Sequence, residues 1–197
     1  MIRSLFSIGL IVTTFLSANN VHSQAFQGGG NVLGLGIGAG GRYSAFSTYS
    51  GQSPVFMMTY DHGMGFKAGP GVVGIGGYFA YKTLRYYYSY GYLGSNYYYD
   101  ERWNYLMFGV RGTYHWNEWH GIDKLDTYAG VLAGLDIISY SDNSYYASGY
   151  AQRSYPGSRG RTNLFAGARW YFTDAFGAYA ELSHGVSYAT IGLQFKF

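Results

Sequence analysis

Apolar and polar positions alternate along most of this chain, most regularly over residues 187–197. There Ala189, Ile191, Leu193, Phe195 and Phe197 take every second place, with Tyr188, Thr190, Gly192, Gln194 and Lys196 between them. Side chains alternate across a strand, so this stretch predicts one wholly apolar face and one polar or small face. The same period predicts earlier strands at about residues 31–40, 54–61, 73–82, 106–115, 125–138, 164–172 and 178–183. In the first, Leu33, Leu35 and Ile37 alternate with Gly34, Gly36 and Gly38; in the fourth, Leu106, Phe108 and Val110 alternate with Met107, Gly109 and Arg111. Placing the charged and small set inward leaves the apolar set facing out, which suits a hydrocarbon surround better than water.

The connections sharpen this picture. Those at about residues 41–53, 83–101 and 139–161 are long and polar, whereas 62–70, 117–124 and 173–176 are shorter. The seventh, at 184–186, is also short and breaks the pattern. An even strand count with alternating long and short connections predicts an all-β fold: a closed antiparallel up-and-down transmembrane β-barrel of about eight strands. The Tyr/Gly/Ser-rich stretch 86–99 carries no core pattern and is expected as an outer loop. Tyr60, Tyr114, Trp116, Trp170, Phe172, Phe195 and Phe197 are expected to gather at one membrane interface, and Phe79 and Tyr81 at the other, because amphipathic rings favour that depth.

Composition narrows the class further. The chain has 31 Gly, 24 Tyr, 13 Phe and 3 Pro, with only 12% charged residues. So much apolar and aromatic material argues against disorder, and Gly without a three-residue period argues for many strands and turns. A formal charge of +3 gives no footing for a nucleic-acid partner. The absence of cysteine excludes a disulfide framework, a thiolate metal site and a lipid-modified cysteine anchor. At the N-terminus, Arg3 precedes the apolar run 5–16, and Val21-His22-Ser23 offers slim residues before Gln24. This predicts a cleaved signal peptide over residues 1–23 and a barrel domain over 24–197. No later run approaches the ~20 apolar residues of a membrane helix, so any spanning must be done by strands.

Residues 111–116 (Arg-Gly-Thr-Tyr-His-Trp), 126–130 (Asp-Thr-Tyr-Ala-Gly), 167–172 (Gly-Ala-Arg-Trp-Tyr-Phe) and the final strand carry a resemblance. The chain resembles the small outer-membrane β-barrel family of Gram-negative bacteria, the OmpX-like or OmpA-barrel-like group, in forms typical of Bacteroidota. The resemblance implies the fold and a bacterial outer-membrane location more than an activity; the loop pattern adds periplasmic termini and extracellular long loops, and a structural or surface-interaction role without catalysis or cofactor is expected. It also implies that the outer-membrane assembly machinery reads the aromatic carboxyl end, Phe197 with Phe195 and Leu193. The expected partners are outer-membrane lipids, lipopolysaccharide and that machinery, and a monomer is expected.

Candidate chemistry falls into three classes. Asp61, Arg111, Asp126, Asp136, Arg169, Glu181 and Lys196 are placed inward by the alternation, and an eight-stranded barrel has an interior that side chains fill. The expected reading is a polar plug, with a narrow ion or small-solute pore as the alternative. Centring the last long turn on Ala175 predicts Arg169 opposite Glu181 and Tyr171 opposite Tyr179. An enzymatic alternative rests on Glu181, Ser183, His184 and Ser187 at one rim, where a hydroxyl nucleophile would need an imidazole base. Against it, adjacent Ser183 and His184 point to opposite faces. His115 and His120 lack the helical spacing of a zinc motif, and the glycine-rich matches at 36–41 and 69–74 lack the strand–turn–helix setting of a phosphate loop. Finally, Arg153, Arg159 and Arg161 in the loop 139–161 are candidate surface contacts for phosphate groups.

Overall fold

A computed structural model describes residues 25–43, 51–92, 94–146, 149–150 and 153–197, with the side chains of residues 150 and 153 left aside. The expected export segment at 1–23 and part of the first long connection lie outside the described residues. Eight strands form the ring: β1 Asn31–Ala39, β2 Val55–Ala68, β3 Gly71–Tyr92, β4 Ser95–His115, β5 Leu125–Asp142, β6 Arg153–Tyr171, β7 Phe176–Ser183 and β8 Ala189–Lys196. Each pairs antiparallel with its sequence neighbours, and β1 pairs with β8 through Leu35↔Leu193 and Ile37↔Ile191, which closes the barrel. The seam is finished by reciprocal backbone bonds between Asn31 and Phe197, at 3.1 and 3.0 Å. Closure leaves no edge within the ring, as strands in hydrocarbon require.

The inward and outward sets follow the alternation. Val32, Met57, Thr59, Ala80, Met107 and Thr113 are buried inside, while Leu35, Ile37, Phe56, Phe79, Val110 and Ile191 stand exposed outside. The glycines of β1 serve the crowded lumen. A Cβ at Gly36 would collide with the Tyr179 hydroxyl and lie 2.9 Å from the Ile191 carbonyl oxygen. Tyr179 therefore lies across a floor that only glycine provides.

Three expectations about the connections are corrected. Residues 86–99 are not a loop: β3 and β4 continue as one ladder from Tyr86↔Glu101 to Tyr92↔Ser95. Tyrosine favours strands, and directly opposed rings such as Tyr88/Tyr99 and Tyr90/Tyr97 support each other. The pattern is hidden because rings occupy both faces. The stretch 139–161 is likewise mostly strand, with Ser139↔Pro156 through Asp142↔Arg153 extending β5 and β6. Pro156 is tolerated because this part of β6 has a ladder on one side only. The link 62–70 is largely strand too. It carries a register shift between Gly63 and Lys67 before the turn at Gly69-Pro70. The middle four strands, β3 to β6, thus overshoot the ring and project beyond one rim as a sheet.

Candidate functional site: a packed lumen and an apolar belt

The luminal ion network is built from inward positions of five strands. Asp61 on β2 sits between two arginines. It pairs with Arg169 on β6 and contacts the Arg111 Nε on β4 at 3.1 Å through Oδ1. Arg169 Nη1 also donates to Asp126 Oδ2 at 3.1 Å, and Arg111 Nη2 donates to Glu181 Oε2 at 2.9 Å. Tyr128 donates its hydroxyl to the same Glu181 oxygen at 3.1 Å. Asp126 is held further by His115 Nδ1 at 3.0 Å and by the Asn117 amide at 3.0 Å, while His115 Nε2 meets Thr113 Oγ1 at 2.9 Å. Rings clamp the guanidinium groups: Phe165 lies 4.1 Å from Arg111, and Tyr128 lies 4.4 Å from Arg169. All five charged side chains are 4% exposed or less, so the ionic partners compensate one another's lost hydration.

Two further groups flank this network. Before β1, the Phe26 ring stacks on His115 with centroids 3.8 Å apart and is itself buried. Toward the other rim, Asp136 accepts the Tyr43 hydroxyl at 2.8 Å and pairs with Arg161, which in turn lies 5.0 Å over the Tyr43 ring. From the level of that group toward the same rim, Val55, Ala80, Leu84, Tyr105, Met107 and Val186 form an apolar cluster. Tyr43 and Val186 enter it from connections, folding inward over the mouth.

Of the inward residues expected from the alternation, Arg111, Asp126, Arg169 and Glu181 meet in one network with Asp61. Asp136 belongs to the separate outer layer, and Lys196 lies 4.7 Å over the Tyr171 ring. The expected Arg169–Glu181 pairing is corrected: the turn shifts the register by two, setting Arg169 opposite Tyr179, Tyr171 opposite Gly177 and Glu181 opposite Gly167. Arg161 is corrected as well, from a surface contact to a luminal partner of Asp136. Arg159 is exposed, and the side chain of Arg153 lies outside the described set. His115, Tyr128, Phe165 and Tyr43 were not singled out as luminal partners. Only their inward parity could have flagged them, and for Tyr43, which lies in a connection, there is no such signal.

The rim cluster does not assemble as a nucleophile and base. Ser183 Oγ donates to the Ser187 carbonyl at 2.5 Å, Ser187 Oγ donates to the Ala189 carbonyl at 2.7 Å, and His184 stacks on Tyr188. Glu181 is engaged by Arg111 and Tyr128. His115 faces the lumen while His120 Nδ1 accepts from the Ile122 amide at 3.0 Å, so the two imidazoles do not converge.

The outer surface inverts the usual order. Leu164 and Leu182 are 69% and 67% exposed, whereas Asp61 is 0% exposed. On β3 and β8 the outward apolar run spans about the 9–11 residues that a tilted strand needs to cross a ~30 Å hydrocarbon layer. On β3 it runs from Val73 to Tyr81 and on β8 from Ala189 to Phe197. Trp116, Trp170, Phe172, Phe195 and Phe197 stand exposed toward one end and Tyr81 toward the other, whereas Tyr60 and Phe79, expected at opposite interfaces, are diagonal neighbours in mid-belt, since Tyr60 lies opposite Gly77. Beyond that second end lies the tyrosine-rich hairpin. There Arg85 forks onto Asp100, at 2.7 and 2.9 Å, and holds its carboxyl below the ordinary range.

No protein-family model matches this chain, and no curated protein matches it. Among solved structures it is similar to the N-terminal β-barrel domain of Pseudomonas aeruginosa OprF, at 13% identity and a TM-score of 0.47, covering 86% of this chain and 98% of that one. It is also similar to Ail, the attachment invasion locus protein of Yersinia pestis, at 15% identity and a TM-score of 0.43, covering 87% and 100%. Ail in complex with the heparin analogue sucrose octasulfate gives 15% identity and a TM-score of 0.44. At such identity and superposition the likeness carries no argument about activity. The closed ring stands on this chain's own ladder.

Proposed function

We propose that this chain is an integral barrel of a bacterial outer membrane, with a structural or surface-contact role and no catalysis. The observation that carries the reading is the inversion of polarity: charged side chains are packed into the lumen while large apolar side chains line the outside of a closed ring. Exposing that belt to water would be unfavourable, at about 25 cal/mol per Å² of apolar surface. A bilayer removes the penalty, and a ladder closed on itself supplies the inter-strand pairing that hydrocarbon requires. The tyrosine-rich extensions of β3 to β6 then face outward, and Phe197 returns to the periplasmic rim. By this reading the luminal ion network and the two groups flanking it plug the barrel against solutes, as expected for a ring of this size.

Electrophoresis of purified outer membranes tests the placement. A folded barrel migrates differently before and after boiling, so a boiling-dependent shift in the outer-membrane fraction is expected. Identical migration, or recovery in the soluble fraction, would overturn the reading.

A further inference from the structure

The outward face of the β3–β4 seam carries an arrangement that neither the plug nor the belt as a whole requires. Its directly opposed outward pairs are Gly77 with Val110, Phe79 with Phe108, Tyr81 with Leu106, Thr83 with Asn104 and Arg85 with Arg102. At the apolar end is a groove of about 530 Å³. Gly77 and Ala133 keep its floor low, and Tyr60, Phe79 and Phe108 wall it. At the other end two arginines face each other across the ladder, a repulsive pairing unless something takes up the charge. Arg85 is satisfied by its fork onto Asp100. Arg102 is exposed and reaches no carboxylate at salt-bridge distance among the described residues, although its charge also acts on Asp100. Between groove and arginine runs a polar step, in which the Tyr81 hydroxyl and Thr83 Oγ1 both donate to Asn104 Oδ1, at 3.3 and 2.9 Å.

We propose that this seam binds a phosphate-bearing lipid of the adjoining leaflet, with Arg102 taking the headgroup phosphate and the groove beside Gly77 taking an acyl chain. The inference rests on the bilayer placement proposed above and names the lipid that one face of the barrel selects. The heights agree. Arg102 stands four residues beyond Leu106, about 13 Å along a strand at ~3.3 Å per residue and about 10 Å up the axis at a ~40° tilt. The headgroup zone extends about 5–8 Å past the hydrocarbon on each side, within reach of an arginine stem bent toward it. A guanidinium fork matches phosphate oxygens, and the Arg85–Asp100 pair keeps the nearest carboxylate from occupying it.

The test uses the full barrel in nanodiscs of phosphatidylcholine doped with phosphatidic acid, with retained lipids counted by native mass spectrometry. The wild type is expected to retain phosphatidic acid in preference to phosphatidylcholine. Arg102→Gln should reduce that preference about fivefold, the weight of one arginine near an anionic surface. Gly77→Leu, whose added side chain starts in open space, should lower retention with the arginine untouched. Arg159→Gln removes an equal charge from an exposed arginine outside this seam, and a loss of preference as large as that of Arg102→Gln would overturn the site. Equal retention by wild type and Arg102→Gln would overturn the site, as would displacement of the lipid by glycerol phosphate alone, which would make it a free-phosphate site. Boiling-dependent gel shifts on the same samples separate the two ideas. A barrel that inserts without lipid preference overturns only the site, and one that fails to insert overturns the bilayer reading beneath it.

Discussion

Replacing Asp61 with Asn keeps the shape of the side chain and removes the one charge shared by Arg111 and Arg169. Asp61 is fully buried and contacts Arg111 and Arg169 together. Breaking a buried ion pair by deleting one partner costs about 3–5 kcal/mol, because the remaining charge stays desolvated. Here neither arginine is left entirely alone, since Arg169 keeps Asp126 and Arg111 keeps Glu181. The low end, about 3 kcal/mol, is therefore expected. With a urea slope of about 2 kcal/mol per molar, the unfolding midpoint should fall by about 1.5 M. The assay is urea unfolding of the refolded barrel in detergent micelles, followed by the fluorescence of its 4 tryptophans. Arg169→Gln alone should also destabilise. The double variant should cost less than the two singles added, by about 1 kcal/mol or more, because the pair is coupled. A midpoint shift under about 0.3 M for Asp61→Asn, the size of an ordinary surface change, would refute the network.

Three other outcomes follow from the same geometry. Gly36→Val drives a side chain into Tyr179 and the Ile191 carbonyl and should destabilise the barrel by about 1–3 kcal/mol; a neutral effect in the same urea assay would show that Tyr179 does not lie on β1. Because Arg85 holds the Asp100 carboxyl below its ordinary range, that pair's contribution is present above the unfolded-state pKa of about 3.9 and is lost only as pH falls through the lower folded value. Amide exchange in the β3–β4 extension should thus be unaffected by that pair from neutral pH down to mild acid and quicken only below that. Loosening near pH 6 would contradict the assignment. Deleting Phe197 should impair assembly, since it removes both a belt ring and the reciprocal backbone bonds to Asn31. Normal insertion of the shortened chain would show that this end is dispensable.

Much of the architecture is legible in the chain because one property, period-two alternation, sets both strand identity and the direction of each side chain. Ile37, Phe79, Val110 and Ile191 read outward, and Arg111, Asp126 and Arg169 read inward, with no knowledge of neighbours. Alternation fails where both faces carry the same residue type. Tyr86, Tyr87 and Tyr88 look like low complexity because their rings cannot be sorted by polarity, yet they continue a ladder. Register is harder still. Sliding β6 against β7 by two residues leaves every side chain on its proper face, so the alternation could not separate Arg169 opposite Glu181 from Arg169 opposite Tyr179. Of the two carboxylates that Arg169 holds, Asp126 lies directly opposite on β5, but Asp61 lies 108 residues away across the lumen, and no rule about adjacent strands reaches that one. Arg161 was misplaced for the same reason, its loop-like surroundings concealing a strand that aims it at Asp136.

The central claim is that the outward face of the ring lies in hydrocarbon. The chain has no cysteine, so single cysteines can be introduced one at a time along residues 73–91 of β3 and spin-labelled in vesicles. Collision with oxygen, which concentrates in lipid, is compared with collision with a water-soluble nickel chelate. The account predicts that Ile75, Gly77 and Phe79 positions are oxygen-accessible and shielded from nickel, and that Ser89 and Gly91 positions are nickel-accessible. Nickel reaching Ile75, Gly77 and Phe79 as freely as Ser89 would place the belt in water and contradict the account.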